Sequence, residues 1–227
     1  MKIEIIRSLD DAHMATGLAV VIDVFRAFST EAYILANGAE KILPVLDLDE
    51  AHGLKKEHPE YLLVGERKGV KPEGFDFGNG PSEVINVDFT GKTIIHTTSH
   101  GTRGLINAAK ADTILVGSFV VADSIINYIQ RNNIQKISLV STSPDTESDN
   151  EDVLLAYYIR DVLSGTKVDE ADIKNKLSTT RALQFLVTEA GVPQADFDLC
   201  LEFHRFNFVI KKVMRNNQMC LIREDNV

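Results

Sequence analysis

The chain has 227 residues, with 24 Lys and Arg against 33 Asp and Glu, a formal charge of −9, 44% apolar and 25% charged residues. Such a balance excludes disordered, collagenous and low-complexity chains, and the acidic excess argues against a nucleic-acid partner held by phosphate neutralisation. The length is enough for one large domain or two small ones, each able to bury a core.

Short β-branched runs, each followed by a polar or glycine-bearing turn and a longer helical period, predict the α/β class. The first strand, Lys2 to Ile6, opens the chain. Around it Glu4, Asp10 and Asp11 stand where an export signal would have its apolar core, so a cytoplasmic protein is expected. The longest stretch free of Asp, Glu, Lys and Arg runs from Ala12 to Ile22, short of the roughly 20 residues of a membrane span. It leads into a strand from Leu18 to Asp23, and a helix from Ser29 to Asn37 stops at Asn37-Gly38. Strands follow at Lys41 to Val45 and Tyr61 to Gly65, then a Gly- and Pro-rich tract, Val64 to Glu83, reads as an irregular loop. Next come a strand at Thr93 to His96, a helix at Gly104 to Ala109, a strand at Thr113 to Gly117 and a helix at Asp123 to Arg131. A strand at Lys136 to Val140 precedes the strongest helix, Glu151 to Leu163. With no internal repeat and no linker, one domain over 1–227 is expected: a core of about 1–165 and a small α+β appendage of about 166–227. That appendage holds a charged helix near Asp169 to Gly191 and an alternating segment, Phe206 to Ile222.

Ligands of open α/β sheets bind beyond the carboxyl ends of the strands. Asp23 ends a strand just before Arg26, Ser29 and Thr30, where an anion would meet a guanidinium, two hydroxyls and free helix-start N–H groups. A carboxylate beside an anion site calls for a divalent cation between them; a plain capping role for Asp23 is the alternative. Thr97, Thr98, Ser99, His100, Gly101 and Thr102, with Arg103, follow another strand and open a helix, which suits a tetrahedral anion or, more simply, a hydroxyl cap. Gly117-Ser118 ends a third strand. In the long loop, Glu66 and Asp76 are candidate metal ligands and Arg67 a candidate bidentate clamp, with Asn79 and Ser82 nearby; solvation is the plainer account of such a charged run. Glu151 and Asp152, beside Asp149 and Asn150, start the strongest helix, where carboxylates also serve as caps. The six His show no zinc spacing, Cys200 and Cys220 lack a CxxC partner, and neither a P-loop nor a GxSxG elbow occurs.

The blocks VVIDVFRAFST, VGERKG, GFDFGNGPSE, TTSHGTRG, VGS and EDVLLA, in this order from about Val20 to Leu163, resemble the 2-phosphosulfolactate phosphatase family. The resemblance implies an α/β fold with a mixed sheet flanked by helices, distinct from a standard Rossmann domain. It implies a Mg²⁺-dependent hydrolysis of 2-phosphosulfolactate to sulfolactate and phosphate, a step towards coenzyme M. Carried over by position, the site residues are Asp23, Arg26, Ser29, Thr30, Glu66, Arg67, Asp76, Asn79, Ser82, Thr97, Thr98, Gly101, Thr102, Gly117, Ser118, Glu151 and Asp152. The sequence departs from the family at His100, where Asn is usual, in the Phe-Val-Val-Ala segment ending Val121-Ala122, and at Tyr157, where Gly is common. On this reading Asp23, with Glu66, Glu151 or Asp152, holds Mg²⁺; Arg26, Arg67 and the Thr97 to Thr102 turn bind the anions; Asp76 is the base. Direct attack by water is preferred over an aspartyl-phosphate at Asp23, because the DxDx[TV] pattern is absent. A phosphatase for another small phosphorylated hydroxy acid, or a non-catalytic anion sensor, is the alternative, and a homodimer is compatible with the sequence.

Overall fold

A computed structural model describes residues 1–143, 150–178, 183, 187–188 and 191–225. Asp149 and parts of the charged segment between 179 and 190 lie outside the described residues.

The α/β class holds, with helices flanking one mixed sheet of nine strands. In chain order the strands are β1 (Lys2–Ile6), β2 (Leu18–Ile22), β3 (Lys41–Val45), β4 (Leu62–Gly65), β5 (Thr93–Thr97), β6 (Thr113–Gly117), β7 (Lys136–Ser141), β8 (Val209–Arg215) and β9 (Gln218–Glu224). The described helices are α1 (Ala27–Ala36), α2 (Leu48–Glu57), α3 (Pro81–Val84), α4 (Gly101–Asn107), α5 (Ala122–Arg131), α6 (Glu151–Leu163), α7 (Glu170–Ser178) and α8 (Gln194–Cys200). β2, LAVVI, is buried at every position, as a parallel strand covered on both faces must be.

The sheet order is β1-β7-β2-β6-β8-β9-β3-β5-β4. Two parallel blocks, β1-β7-β2-β6 and β3-β5-β4, are joined by the antiparallel ribbon β8–β9. The pairings β6/β8, β8/β9 and β9/β3 are all antiparallel, so strand polarity reverses three times between the blocks. In a flat sheet their carboxyl ends would therefore lie on opposite edges. They meet instead: a Cβ added to Gly101, after β5, would stand 3.0 Å from Oδ2 of Asp23, after β2. The sheet is coiled enough to fold one block towards the other. The ribbon permits this because it pairs with β6 only at Leu115↔Lys211 and Val116↔Ile210, and with β3 only at Ile42↔Leu221.

The C-terminal segment, read from the sequence as an appendage, thus supplies the two middle strands. Asn216 and Asn217, at φ 51° and 62°, make the tight turn between them. Helix α2 was not foreseen: of its residues only Ala51 is fully buried, so it lacks a strong apolar stripe. Reciprocal caps start it, Asp47 accepting from the Glu50 N–H at 2.8 Å and Glu50 accepting from the Leu46 N–H at 3.2 Å. It covers a small apolar cluster that includes Leu43, Leu63, Phe75 and Ile95, while the main core runs through β2, β6, β7, α1, α5 and α6. Cys200 and Cys220 are buried free thiols. Among the described residues no helix is long and apolar enough to cross a membrane.

Candidate active site

Asp23 sits at the end of β2, between β6 and β7, its N–H still donating to the Gly117 carbonyl at 3.2 Å. The chain then turns sharply into α1. The Asp23 carbonyl accepts from the Phe28 N–H at 3.3 Å, and the Ser29 hydroxyl donates to the Val24 carbonyl at 2.8 Å. Arg26 stands at the head of α1 with φ 83° and ψ −61°, a γ-turn conformation that costs a residue with a Cβ on the order of 1–3 kcal/mol. Its guanidinium is buried and, among the described residues, donates once, to the Gly69 carbonyl at 3.3 Å, and forms no ion pair.

Three carboxylates near this turn differ in their partners. Oδ1 of Asp152 accepts from the Val24 N–H at 2.9 Å, and its Oδ2 from the N–H groups of Thr142 and Ser143, each at 3.0 Å. Burial pushes the Asp152 carboxyl up to about 6 against the pull of these bonds. Asp152 therefore fastens the loops after β2 and β7. Glu66 accepts from the Ser99 N–H at 2.9 Å, the Ser99 hydroxyl at 2.7 Å and the Gly69 N–H at 2.7 Å. Burial alone would raise its pKa, but these bonds and the Arg26 charge outweigh it and hold Glu66 below the usual value. Asp23 has no such help, since no described residue donates to its carboxyl. Burial, and then the negative charges of Asp152, Glu151, Glu31 and Glu66, push it well above the ordinary carboxylate range.

The remaining predicted residues divide into two groups. Near Asp23 stand Gly101, whose missing Cβ would meet the Phe28 ring at 2.8 Å, and the strand-end turns carrying Thr98 and Ser118. The hydroxyls of Thr30, Thr98 and Ser118 are buried and have no hydrogen-bond partner among the described residues. Thr102 is buried in the first turn of α4, and half-buried His100 precedes it, its pKa lowered by burial, with Glu66 raising it and Arg103 lowering it.

The structure gives other tasks to the second group. The Arg67 guanidinium is committed to the carbonyls of Glu66 and Leu46, at 2.7 and 2.8 Å, and to the Thr97 hydroxyl at 2.6 Å, so it braces the loop. Asp76 is exposed on the edge of β4, accepting from the Leu63 N–H at 2.8 Å and facing Lys55 of α2 at 3.6 Å, and does not join the Asp23 group. The Ser82 N–H donates to Asp196 at 2.9 Å, and the Asn79 side chain lies 3.1 Å from Nε2 of His96. Glu31, His96 and Asp196 were missed, because their partners lie far away in the chain and no local pattern reports them.

The donor set suits a hard divalent cation: oxygen ligands, an Asp23 carboxyl without a donor, and further carboxylates that raise its pKa. Among the described residues no three His, Cys, Asp or Glu side chains gather at metal-ligating spacing. Mg²⁺ often takes only one or two carboxylates and keeps several waters, so a site centred on Asp23 fits it.

Comparison with known proteins gives the family. A model of the 2-phosphosulpholactate phosphatase family matches residues 5–214. A protein of Caldicellulosiruptor saccharolyticus named "Probable 2-phosphosulfolactate phosphatase" is 39% identical over 160 residues, 69% of this chain and 66% of its own length. Proteins of the same name from Clostridium perfringens (strain SM101 / Type A) and Carboxydothermus hydrogenoformans are each 37% identical, over 181 residues (76% of this chain, 73% of the relative) and 195 residues (86% and 78%). With a family model over most of its length and relatives at 37–39% identity, this chain belongs to the 2-phosphosulpholactate phosphatase family of phosphoric monoester hydrolases.

Proposed function

We propose that the chain is a Mg²⁺-dependent phosphatase that hydrolyses 2-phosphosulfolactate to 3-sulfolactate and phosphate, the reaction type of coenzyme M biosynthesis. One observation carries this reading: at the meeting point of β2, β5 and β6, Asp23 is a carboxyl to which no described residue donates, near Arg26, a buried guanidinium with no ion-pair partner among the described residues. Asp23 would hold the metal, with Glu151, whose charge acts on Asp23, as a further candidate; the oxygens of Asp152 and Glu66 accept backbone N–H bonds. When bound, Mg²⁺ supplies charge neutralisation on the phosphoryl oxygens and lowers the pKa of a coordinated water. Arg26 binds and orients the phosphoryl group, and the spare hydroxyls of Thr30, Thr98 and Ser118 are donors for its oxygens. His100, at the start of α4, is available to the substrate's second anionic group. Asp76 has no part in this mechanism, because Lys55 and the Leu63 N–H occupy it. Free buried thiols suit the reducing cytoplasm, where we place the reaction.

The test is phosphate release from 2-phosphosulfolactate, 2-phospholactate, phosphoglycolate and p-nitrophenyl phosphate, with Mg²⁺ and with EDTA. Metal-dependent release is expected, with the sulfonated substrate preferred by about tenfold or more in kcat/KM, the scale of one additional charged contact. Release from none of the four overturns the reading. Equal rates on all four remove the sulfonate from it.

A further inference from the structure

A polar chain that no part of the proposed mechanism uses lies buried behind the site. Nδ1 of His96, on β5, is 2.7 Å from Oε1 of Glu31, on α1, and its Nε2 is 3.1 Å from Oδ1 of Asn79. All three residues are buried, His96 completely so. Asn79 is secured in turn from α8: Asp196 accepts from the Ser82 N–H at 2.9 Å, and a Cβ on Gly80 would strike the Asp196 carboxylate at 2.4 Å. The second oxygen of Glu31 is buried with no partner among the described residues, and burial raises the carboxyl's pKa while the His96 bond and charge lower it.

A buried pair of this kind adds little net stability, because desolvation opposes the attraction, and an apolar pair of similar volume would pack as well or better. Its yield is placement. α1 follows β2 in one parallel block, β5 belongs to the other, and the sheet connects the blocks only through the short pairings of the ribbon. The His96–Glu31 contact is a direct polar tie between them. Arg26 lies five residues before Glu31, at the head of the same helix, and the Thr97 to Gly101 turn begins at the residue after His96. We propose that Glu31 and His96 are positioning residues of the phosphatase site, holding the Arg26 turn and the Thr97 to Gly101 turn at the separation that lets both grip one phosphoryl group. This rests on reading the Asp23 cleft as the phosphatase site.

Glu31→Ala and His96→Ala test it in the full-length chain, beside Glu31→Gln, which keeps an acceptor for the His96 N–H. Ile129→Ala, in the core under α5, is a control that loses stability far from the cleft. The expected result is a loss of about 30- to 100-fold in kcat/KM for either Ala variant, with a slower kcat and a weaker hold on the phosphoryl group both contributing, the scale of a catalytic group displaced by about 1 Å. Glu31→Gln should recover to within about threefold of wild type. Ile129→Ala should melt lower and keep its kcat. Ala variants that melt lower with kcat intact overturn the proposal, as does a Glu31→Gln protein as slow as Glu31→Ala. If an Ala variant does not fold, His96→Asn replaces it, keeping a donor for Glu31 but losing Asn79: a tenfold slower kcat is expected, and a wild-type kcat overturns the idea.

Inorganic phosphate binding, followed by calorimetry, separates this proposal from the reading beneath it. If wild type binds phosphate but hydrolyses no substrate, the phosphatase reading fails, and weaker phosphate binding by Glu31→Ala than by Ile129→Ala still supports positioning. Equal binding by the two variants, or no phosphate binding by wild type, overturns it.

Discussion

The Asp23 cleft and the His204 junction both collect acidic side chains, and they treat them in opposite ways. At the junction His204 lies between two carboxylates, Nδ1 at 2.8 Å from Asp123 and Nε2 at 2.6 Å from Glu170, so each acid has a partner on the imidazole. The groups are partly exposed and connect α5, α7 and the segment before β8. In the cleft, Asp152 and Glu66 are equally well served, but Asp23 faces their charge with no donor among the described residues. A matched acid is explained by the fold it holds together; no described residue does the same for Asp23, which lies where its own ionised form is disfavoured.

The contrast is sharpest at Asp23. Asp23→Asn should lower phosphate release by about a thousandfold or more, as loss of the principal metal-holding group does, and should leave the melting temperature in EDTA unchanged or higher because a buried repulsion is gone. Retained turnover would erase the distinction between the two regions. A smaller effect is expected from Gly101→Ala, whose methyl would meet the Phe28 ring at 2.8 Å and Asp23 Oδ2 at 3.0 Å. Displacing Asp23 in this way should slow kcat by roughly 10- to 100-fold with stability lowered by about 1–3 kcal/mol, read from turnover and urea denaturation.

Stability against pH sharpens the comparison further. Burial pushes Asp152 up to about 6 in the folded chain, against about 3.9 for an unfolded Asp, and raises Asp23 as well. Between those values the folded chain keeps protons that the unfolded chain has released, so stability falls as pH rises through this window. For one group raised this far the change is about 3 kcal/mol. Glu66, lowered in the fold, acts the other way, and its contribution is lost only as pH falls below the ordinary carboxylate range. Melting in EDTA should therefore drop from pH 4.5 to 7, and the slope should be shallower for Asp23→Asn. The smallest effect belongs to His204→Ala: partly exposed ion pairs are worth about 0–1 kcal/mol each, and turnover should match wild type.

Local patterns made much of this legible. β1, β3, β6 and α6 have the bounds that their apolar runs predict, because each is a short buried run or a strong helical period closed by turn residues. The turn from Asp23 to Thr30 and the one from Thr97 to Thr102 were legible for a related reason: hydroxyl, glycine and arginine residues crowd where a strand gives way to a helix. Asp47 and Glu50, the caps of α2, were present in the sequence too, but without an apolar stripe between them they carried little weight. Pairings across the chain were beyond such reasoning. His96 and Glu31 are 65 residues apart, and each looks locally like an ordinary polar position in a strand or helix. Arg67 and Asp76 carried the right charge for the chemistry, but the sequence does not show that Leu46 and Lys55 already occupy them. The alternation from Phe206 to Ile222 revealed strands and was silent about where in the sheet they go.

The placement of those strands has a consequence for synthesis. Both parallel blocks are translated before residues 209–224, which fill the gap between them. While the nascent chain is still growing, β6 and β3 each present an unpaired edge, the kind of surface that recruits foreign strands. Only when the ribbon has left the ribosome can the nine-stranded sheet be completed.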